Sequence, residues 1–150
     1  MAPPDESTAC LTLEMEPGRN RHLTIAVSLA DRYARESDGI WVSVSLAWPE
    51  NVLRSICFFS DVQLRELRLL RRQWAYQSDC DLEILDTDHS LAIKFHFDGN
   101  SPQVYEVGIS ASFYEPLGAP SGIAFSASGF RATVDDTRRF VDQLITLTAS

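Results

Sequence analysis

The sequence has a single lysine, Lys94, only three cysteines, and no long apolar run. No stretch approaches the roughly eighteen consecutive apolar residues of a membrane-spanning helix, so we expect no membrane contact through a span. Cys10, Cys57 and Cys80 are odd in number and form no Cys-x-x-Cys pair, which argues against a disulfide framework. The segment Met1–Glu6 lacks the basic start and apolar stretch of an export signal. We therefore expect a cytoplasmic protein with reduced thiols.

Motifs of catalytic and cofactor sites are also missing. The sequence contains no Gly-x-Ser-x-Gly elbow and no phosphate-binding Gly-x-x-x-x-Gly-Lys loop. The turn 86–89, Asp-Thr-Asp-His, offers metal-like ligands, but Leu91 and Phe97 occupy the positions where a calcium loop requires Gly and Glu. A polar surface turn explains this segment better. We predict no enzymatic activity, no metal site and no cofactor, although a Cys–His pair assembled by the fold stays open.

Length and charge set the domain count and the class of partner. With 150 residues and a mass of 16.8 kDa, the chain suits one domain, which we place at 9–150 after a disordered lead-in at 1–8. The net charge of −8 disfavours nucleic acid, whose phosphates attract basic surfaces. An acidic surface fits a basic protein partner, and it also fits plain solubility. Both interpretations stay open.

Alternation of apolar and polar residues predicts the strands. Five segments place apolar side chains at every second position: 23–29, 40–46, 91–97, 105–113 and 123–127. Period two with one polar face indicates an antiparallel sheet that is covered on one side. Weaker strands are predicted near 11–15, 52–59 and 80–85.

Two amphipathic helices interrupt the strands. Ser60 and Gln63 form a capping-box pattern before a helix that runs to about Trp74. Thr133 and Asp136 cap a second helix, which closes the chain. The order strands–helix–strands–helix predicts a two-layer α+β domain, with both helices on one antiparallel sheet of about 6–8 strands.

The densest cluster of charge is a set of five carboxylates that we call the acidic strip: Asp79, Asp81, Glu83, Asp86 and Asp88. Asp81 and Glu83 alternate with Leu82 and Ile84, so both should project from the outer face of one strand. The strip is either a solvated strand face or a docking surface for a basic partner. A catalytic pair of carboxylates fits less well, because nothing nearby would separate their pKa values.

A tryptophan and an arginine stripe are the other candidate contacts. Trp41 falls on the strand face opposite Ile40 and Val42, and an outward tryptophan is a common interface anchor. Arg65, Arg68 and Arg72 form one face of the first predicted helix; they are either a solvated face or a surface for an acidic group.

The order of these elements carries a family resemblance. The segment 59–67, Phe-Ser-Asp-x-x-Leu-x-x-Leu, opens the first helix, and 130–133, Phe-Arg-Ala-Thr, leads into the closing helix at 137–147. Over residues 11–147 the chain resembles the WapI-type family of small bacterial immunity proteins and related bacterial α+β proteins. This resemblance implies a cytosolic antidote that binds and blocks a toxin domain without catalysis, and it implies no particular site residue.

Two other functions remain open from the sequence. The chain could be a self-associating subunit of a larger assembly, which would use an uncovered sheet face or strand edge. It could also be a small-ligand-binding α+β domain whose pocket is formed only by the fold. The sequence does not determine the oligomeric state.

Overall fold

The computed structural model of the protein describes residues 8–16, 21–30, 35–49, 51–74, 80–87, 91–98, 101–114, 120–127 and 129–149. In chain order the elements are β1 (Thr8–Glu16), β2 (Arg21–Leu29), β3 (Arg35–Glu36), β4 (Gly39–Trp48), β5 (Asn51–Ser60), α1 (Asp61–Trp74), β6 (Cys80–Leu85), β7 (Leu91–Asp98), β8 (Ser101–Tyr114), β9 (Pro120–Ala127), β10 (Phe130–Arg131) and α2 (Val134–Ala149). The predicted α+β class and the order strands–helix–strands–helix are confirmed. Eight of the ten strands have six residues or more, while β3 and β10 have two each.

Burial follows the alternation read from the sequence. The inward apolar positions of β2 up to Val27, of β4 and of β7 are buried, and so are Leu82 and Ile84 of β6; Leu29 at the end of β2 is partly buried. Their neighbours Asp81, Glu83 and Lys94 are exposed. Because successive side chains of a strand point to opposite faces, every one of these strands contributes one face to a common core.

The strands form one antiparallel sheet with two halves. The strand order is β3-β4-β2-β1-β10-β8-β7-β6, with β5 paired to β4 and β9 paired to β8. Among the described residues, β1 and β10 join the two halves through the pair of Glu14 with Arg131. On the far side, the Thr87 N–H donates to the Phe58 carbonyl at 2.7 Å. Phe58 belongs to β5, and Thr87 directly follows β6, so this bond joins β5 of one half to the end of β6 in the other half. The sheet therefore curls around its core.

Each helix begins where the sequence predicts, because a capping side chain lies at its first turn. At α1 the Ser60 N–H donates to Gln63 Oε1 at 3.0 Å, and the Gln63 N–H donates to Ser60 Oγ at 3.4 Å, which is a reciprocal capping box. At α2 the Asp136 N–H donates to Thr133 Oγ1 at 3.0 Å. Both caps satisfy backbone donors that the first turn of a helix leaves unpaired.

Both helices lie against the buried face of the sheet. α2 packs mainly on β1 and reaches β2, β8 and α1, while α1 packs on β5, β6 and α2. Gln143 of α2 accepts the Cys10 N–H at 3.2 Å, which gives this backbone donor of β1 a partner on the helix. Arg71 of α1 holds both carboxylate oxygens of Asp142, at 2.7 and 3.1 Å. α1 therefore packs on β5 and β6, and α2 on β1, β2 and β8, so each helix contacts strands of both halves of the sheet.

Some details differ from the sequence-based predictions. β1 begins at Thr8, the last residue of the predicted lead-in, and the rest of that lead-in lies outside the described residues. Strands β3 and β10 were not expected, because two residues carry no periodic signal. Within the described ranges, no helix has the length and the apolar character needed to cross a bilayer.

Candidate protein-binding surface

The outer face of β6 and β7 carries two cross-strand pairs of polar side chains. Asp81 lies opposite His96, and its Oδ1 is 2.7 Å from His96 Nδ1. Glu83 lies opposite Lys94, and its Oε2 is 4.0 Å from Lys94 Nζ. Both carboxylates point outward, as the sequence predicts. All four side chains are at least a third exposed, so solvent screening keeps these pairs weak and leaves the carboxylates accessible.

Asp86 is a correction to the acidic strip. Its side chain is completely buried, and its Oδ1 accepts the Leu91 N–H at 3.0 Å across the turn between β6 and β7. The period-two alternation already indicated this placement, since Asp86 has the same parity as the buried Leu82 and Ile84. The carboxylate therefore holds a turn and cannot contact a partner. Asp79 and Asp88 lie outside the described residues.

A cleft of about 340 Å³ lies between α1 and β6. We call it the α1–β6 cleft; its lining residues are Phe59, Gln63, Glu66, Leu67, Leu70, Glu83, Ile84 and Leu85. Phe59, Leu67 and Ile84 belong to the buried core and form an apolar floor. Glu66 of α1 and Glu83 of β6 are exposed and are also among the lining residues. The fold thus places one more acidic residue, Glu66 of α1, beside the predicted strip.

Sequence reasoning missed Glu66 because α1 was divided only into an apolar and an arginine stripe. The helical wheel contained a signal, since Gln63, Glu66, Leu67 and Leu70 fall at the i, i+3, i+4 and i+7 positions of one face. That this face lies against β6 follows only from the tertiary structure.

Next to the cleft, a hydrogen-bond network fixes the seam between β5 and β6. Gln63 Oε1, the cap of α1, also accepts the Thr87 hydroxyl. Thr87 Oγ1 in turn accepts the Ser60 N–H at 3.2 Å. The network ties the start of α1 to the ends of both outer strands, so the two walls of the cleft are held at one end.

Trp41 lies on the outer face of β4, as predicted, but it is half-buried. Its ring packs on Phe58 of β5, with centroids 4.9 Å apart, and its Nε1–H donates to Glu36 at 3.0 Å. The Phe58 ring also lies directly over Gly39. Much of the Trp41 surface is therefore already used within the molecule, which leaves only part of the ring for a partner.

Exposed apolar side chains continue from Phe58 along the outer face of β5. Ile56 is 61% exposed and Val52 is 54% exposed, with the exposed Arg54 between them. On β4 the outward residues opposite Ile56 and Arg54 are the serines 43 and 45. We call Val52, Arg54 and Ile56 the β5 outer row; it is a second surface that the sequence did not single out.

Of the three arginines in the stripe, Arg72 is exposed to solvent, while Arg65 and Arg68 line a second pocket. Arg65 and Arg68 line a polar pocket of about 310 Å³, together with Arg35, Glu36 and Asp61. The last turn of α2, which has no basic residue of its own, forms the opposite wall. The C-terminus of a helix favours nearby cations, so a position beside the last turn of α2 suits these arginines without a bound ligand.

Within the described parts of the chain, no three His, Cys, Asp or Glu side chains are placed to hold a metal ion. Comparison of the chain with protein-family models, with curated proteins and with solved structures finds no match.

Proposed function

We propose that the protein is a non-catalytic binding protein of the bacterial immunity type, which holds and blocks a basic toxin domain. The observation that carries this proposal is the accessible carboxylate surface around β6, where Asp81 and Glu83 are joined by Glu66 from α1. These carboxylates come from two elements and lie on a chain of net charge −8. A field of this sign attracts a basic partner and accelerates its association.

Capture and neutralisation test the proposed function. The tagged protein should recover from its host one basic protein in near-equal amount, and mixing the two should abolish the toxicity of the captured protein. A captured protein that is not toxic, or whose toxicity survives saturating amounts of this chain, would contradict the immunity role.

Charge reversal tests the surface. Glu66→Lys and Glu83→Lys should each slow association with the captured partner by about 10-fold at low salt, because each replaces an attractive charge by a repulsive one. The difference should shrink as salt screens the charges. Association rates from stopped-flow or surface plasmon resonance measure the effect.

Asp135→Lys is the matched control, since it makes the same change in net charge at an exposed position on α2. If all three variants slow association equally, only net charge matters and the β6 surface is not the contact.

A self-associating subunit is the second candidate function, and the β5 outer row favours it. Two β-branched side chains that are more than half exposed are suited to contact a second copy of the chain. Multi-angle light scattering should then give a mass that rises with concentration, and Ile56→Lys should return it to the monomer value. A monomer mass of the unaltered protein at high concentration excludes this candidate.

A further inference from the structure

We infer that the free edge of β6 is completed by one extended strand of the partner protein, in which basic and apolar side chains alternate. The free edge is the side of β6 that faces away from β7. This inference rests on the proposed function and names the form in which the basic partner is recognised. It uses the backbone of β6, whereas the proposed function uses the charges of the surface around it.

Among the described residues, β6 pairs only with β7 and is therefore an edge strand of the sheet. On its other side lies β5, and the bond from the Thr87 N–H to the Phe58 carbonyl joins the ends of the two strands. No register pair joins β5 to β6 elsewhere in the described parts of the chain. The rest of the β6 edge is thus available to a further strand.

Two hydrogen bonds fix the direction of the β6 backbone groups. The Asp86 N–H donates to the Leu91 carbonyl of β7 at 3.4 Å, while the N–H of the next residue, Thr87, turns to β5. Residues of an antiparallel strand alternate between pairs that exchange hydrogen bonds with the neighbouring strand and pairs that do not. The register of β6 with β7 is continuous, so the N–H and C=O groups point to β7 at positions 82 and 84 and to the free edge at positions 81, 83 and 85.

The cross-strand contacts agree with this alternation. Side chains lie closer together in the pairs that exchange no hydrogen bonds. Asp81 with His96, at 2.7 Å, and Glu83 with Lys94, at 4.0 Å, are two such pairs. The side-chain geometry and the backbone bonds therefore assign the same residues of β6 to the free edge.

The α1–β6 cleft lies along this edge. Its lining includes three consecutive residues of β6: Glu83, Ile84 and Leu85. Glu83 is exposed on the outer face and Ile84 is buried on the inner face, so a cleft that both residues line runs beside the edge of the strand. Its volume of about 340 Å³ and its apolar floor suit the inward side chains of an added strand.

Charge decides which strand fits the edge. An added strand would lie next to the exposed Asp81 and Glu83 on the outer face. Opposite charges across a strand pair are stabilising, and like charges are destabilising. A second copy that paired its own β6 edge would bring the same carboxylates together, on chains of net charge −8 each. The complementary strand instead has basic residues at its outward positions and apolar residues at its inward positions, beside the cleft.

An antiparallel orientation matches these charges best. It places the basic residues of the added strand directly opposite Asp81 and Glu83, and antiparallel pairing is slightly the more stable. In this register the N–H groups of the basic residues point to β6, while those of the apolar residues point away from it. Binding therefore requires particular backbone donors of the partner strand, which distinguishes strand addition from attraction between charges.

Amide hydrogen exchange of the ¹⁵N-labelled protein tests the edge. In the free protein, exchange should be fast at positions 81, 83 and 85 and slow at 82 and 84, because only the latter amides are bonded to β7. The probe is a capped heptapeptide in which lysine and valine alternate. At saturation it should slow exchange at 81, 83 and 85 by about 10-fold or more. A peptide of the same composition, with its four lysines before its three valines, should not slow exchange at the same concentration.

N-methylated peptides separate strand pairing from charge. Methylation of the lysine backbone nitrogens removes the donors that point to β6 and should abolish the protection. Methylation of the valine nitrogens leaves those donors in place and should retain it, although both peptides carry the same charge. On the protein, Glu83→Pro removes an N–H that is not bonded to β7, which an edge strand tolerates. It should reduce peptide affinity clearly more than Glu83→Gln, which removes only the charge.

Equal protection by the two methylated peptides, loss only in the valine series, or equal protection by the alternating and block peptides would overturn the inference. Slow exchange at 81, 83 and 85 in the free protein would also overturn it, since the edge would then be covered already. The cover would be a second copy if the protection falls on dilution, and the chain itself if it does not. Each of these results leaves the proposed function standing if the captured toxin is still neutralised. Conversely, strand addition in a protein that neutralises no toxin keeps the edge site and removes the antidote role.

Discussion

Replacing Phe140 by alanine should lower the free energy of unfolding by about 3–5 kcal/mol, the range for removal of a buried aromatic side chain. Phe140 is completely buried on α2 and is among the largest side chains of the core. α2 packs mainly on β1 and also reaches β2 and β8, so its buried side chains hold the helix against the sheet. A cavity at Phe140 therefore weakens the packing of α2 against the sheet.

Urea denaturation followed by circular dichroism measures this loss. Ile145→Ala on the same helix is the control, since Ile145 is only partly buried and should cost clearly less. A loss at Phe140 of less than about 1 kcal/mol, comparable to an ordinary surface change, would show that the packing of α2 against the sheet contributes little to stability.

Gly39→Ala should destabilise the protein by about 1–3 kcal/mol through overpacking. An added methyl group would meet the ring of Phe58 and the carbonyl oxygen of Phe59. The ring can rotate away, but the carbonyl belongs to the β4–β5 pairing and cannot move without disturbing it. The same displacement would disturb the contact between Phe58 and Trp41.

A double-mutant cycle with Phe58→Ala separates these causes. Removal of the ring should recover part of the Gly39→Ala loss, so the two changes should be non-additive. Gly129→Ala is the comparison, because Gly129 has φ of 84° and no neighbour within 4 Å of an added Cβ. Its cost, about 1–2 kcal/mol, comes from the left-handed backbone alone and should not respond to Phe58→Ala. Strict additivity of Gly39→Ala with Phe58→Ala would contradict the proposed clash with the ring.

The amino-acid sequence determined the elements whose signals are local. Strands β2, β4 and β7 and both helix caps follow from the spacing of apolar residues and from single side chains at helix starts. The outward direction of Asp81, Glu83 and Trp41 follows from the same alternation, because side-chain direction in a strand depends only on position parity. The same alternation placed Asp86 on the buried face, but because Asp86 is charged, the sequence analysis assigned it to the exposed acidic strip.

Only the tertiary structure decided which of these local features meet. Glu66 and Glu83 are seventeen positions apart in sequence, on a helix and a strand, and they line one cleft because α1 packs against β6. Phe58 meets Thr87 because the sheet curls until its outer strands share a hydrogen bond. Such contacts depend on chain topology and on packing of the whole core, and neither leaves a periodic trace in a single sequence. The sequence therefore determined the faces of each element, and the fold determined the site between them.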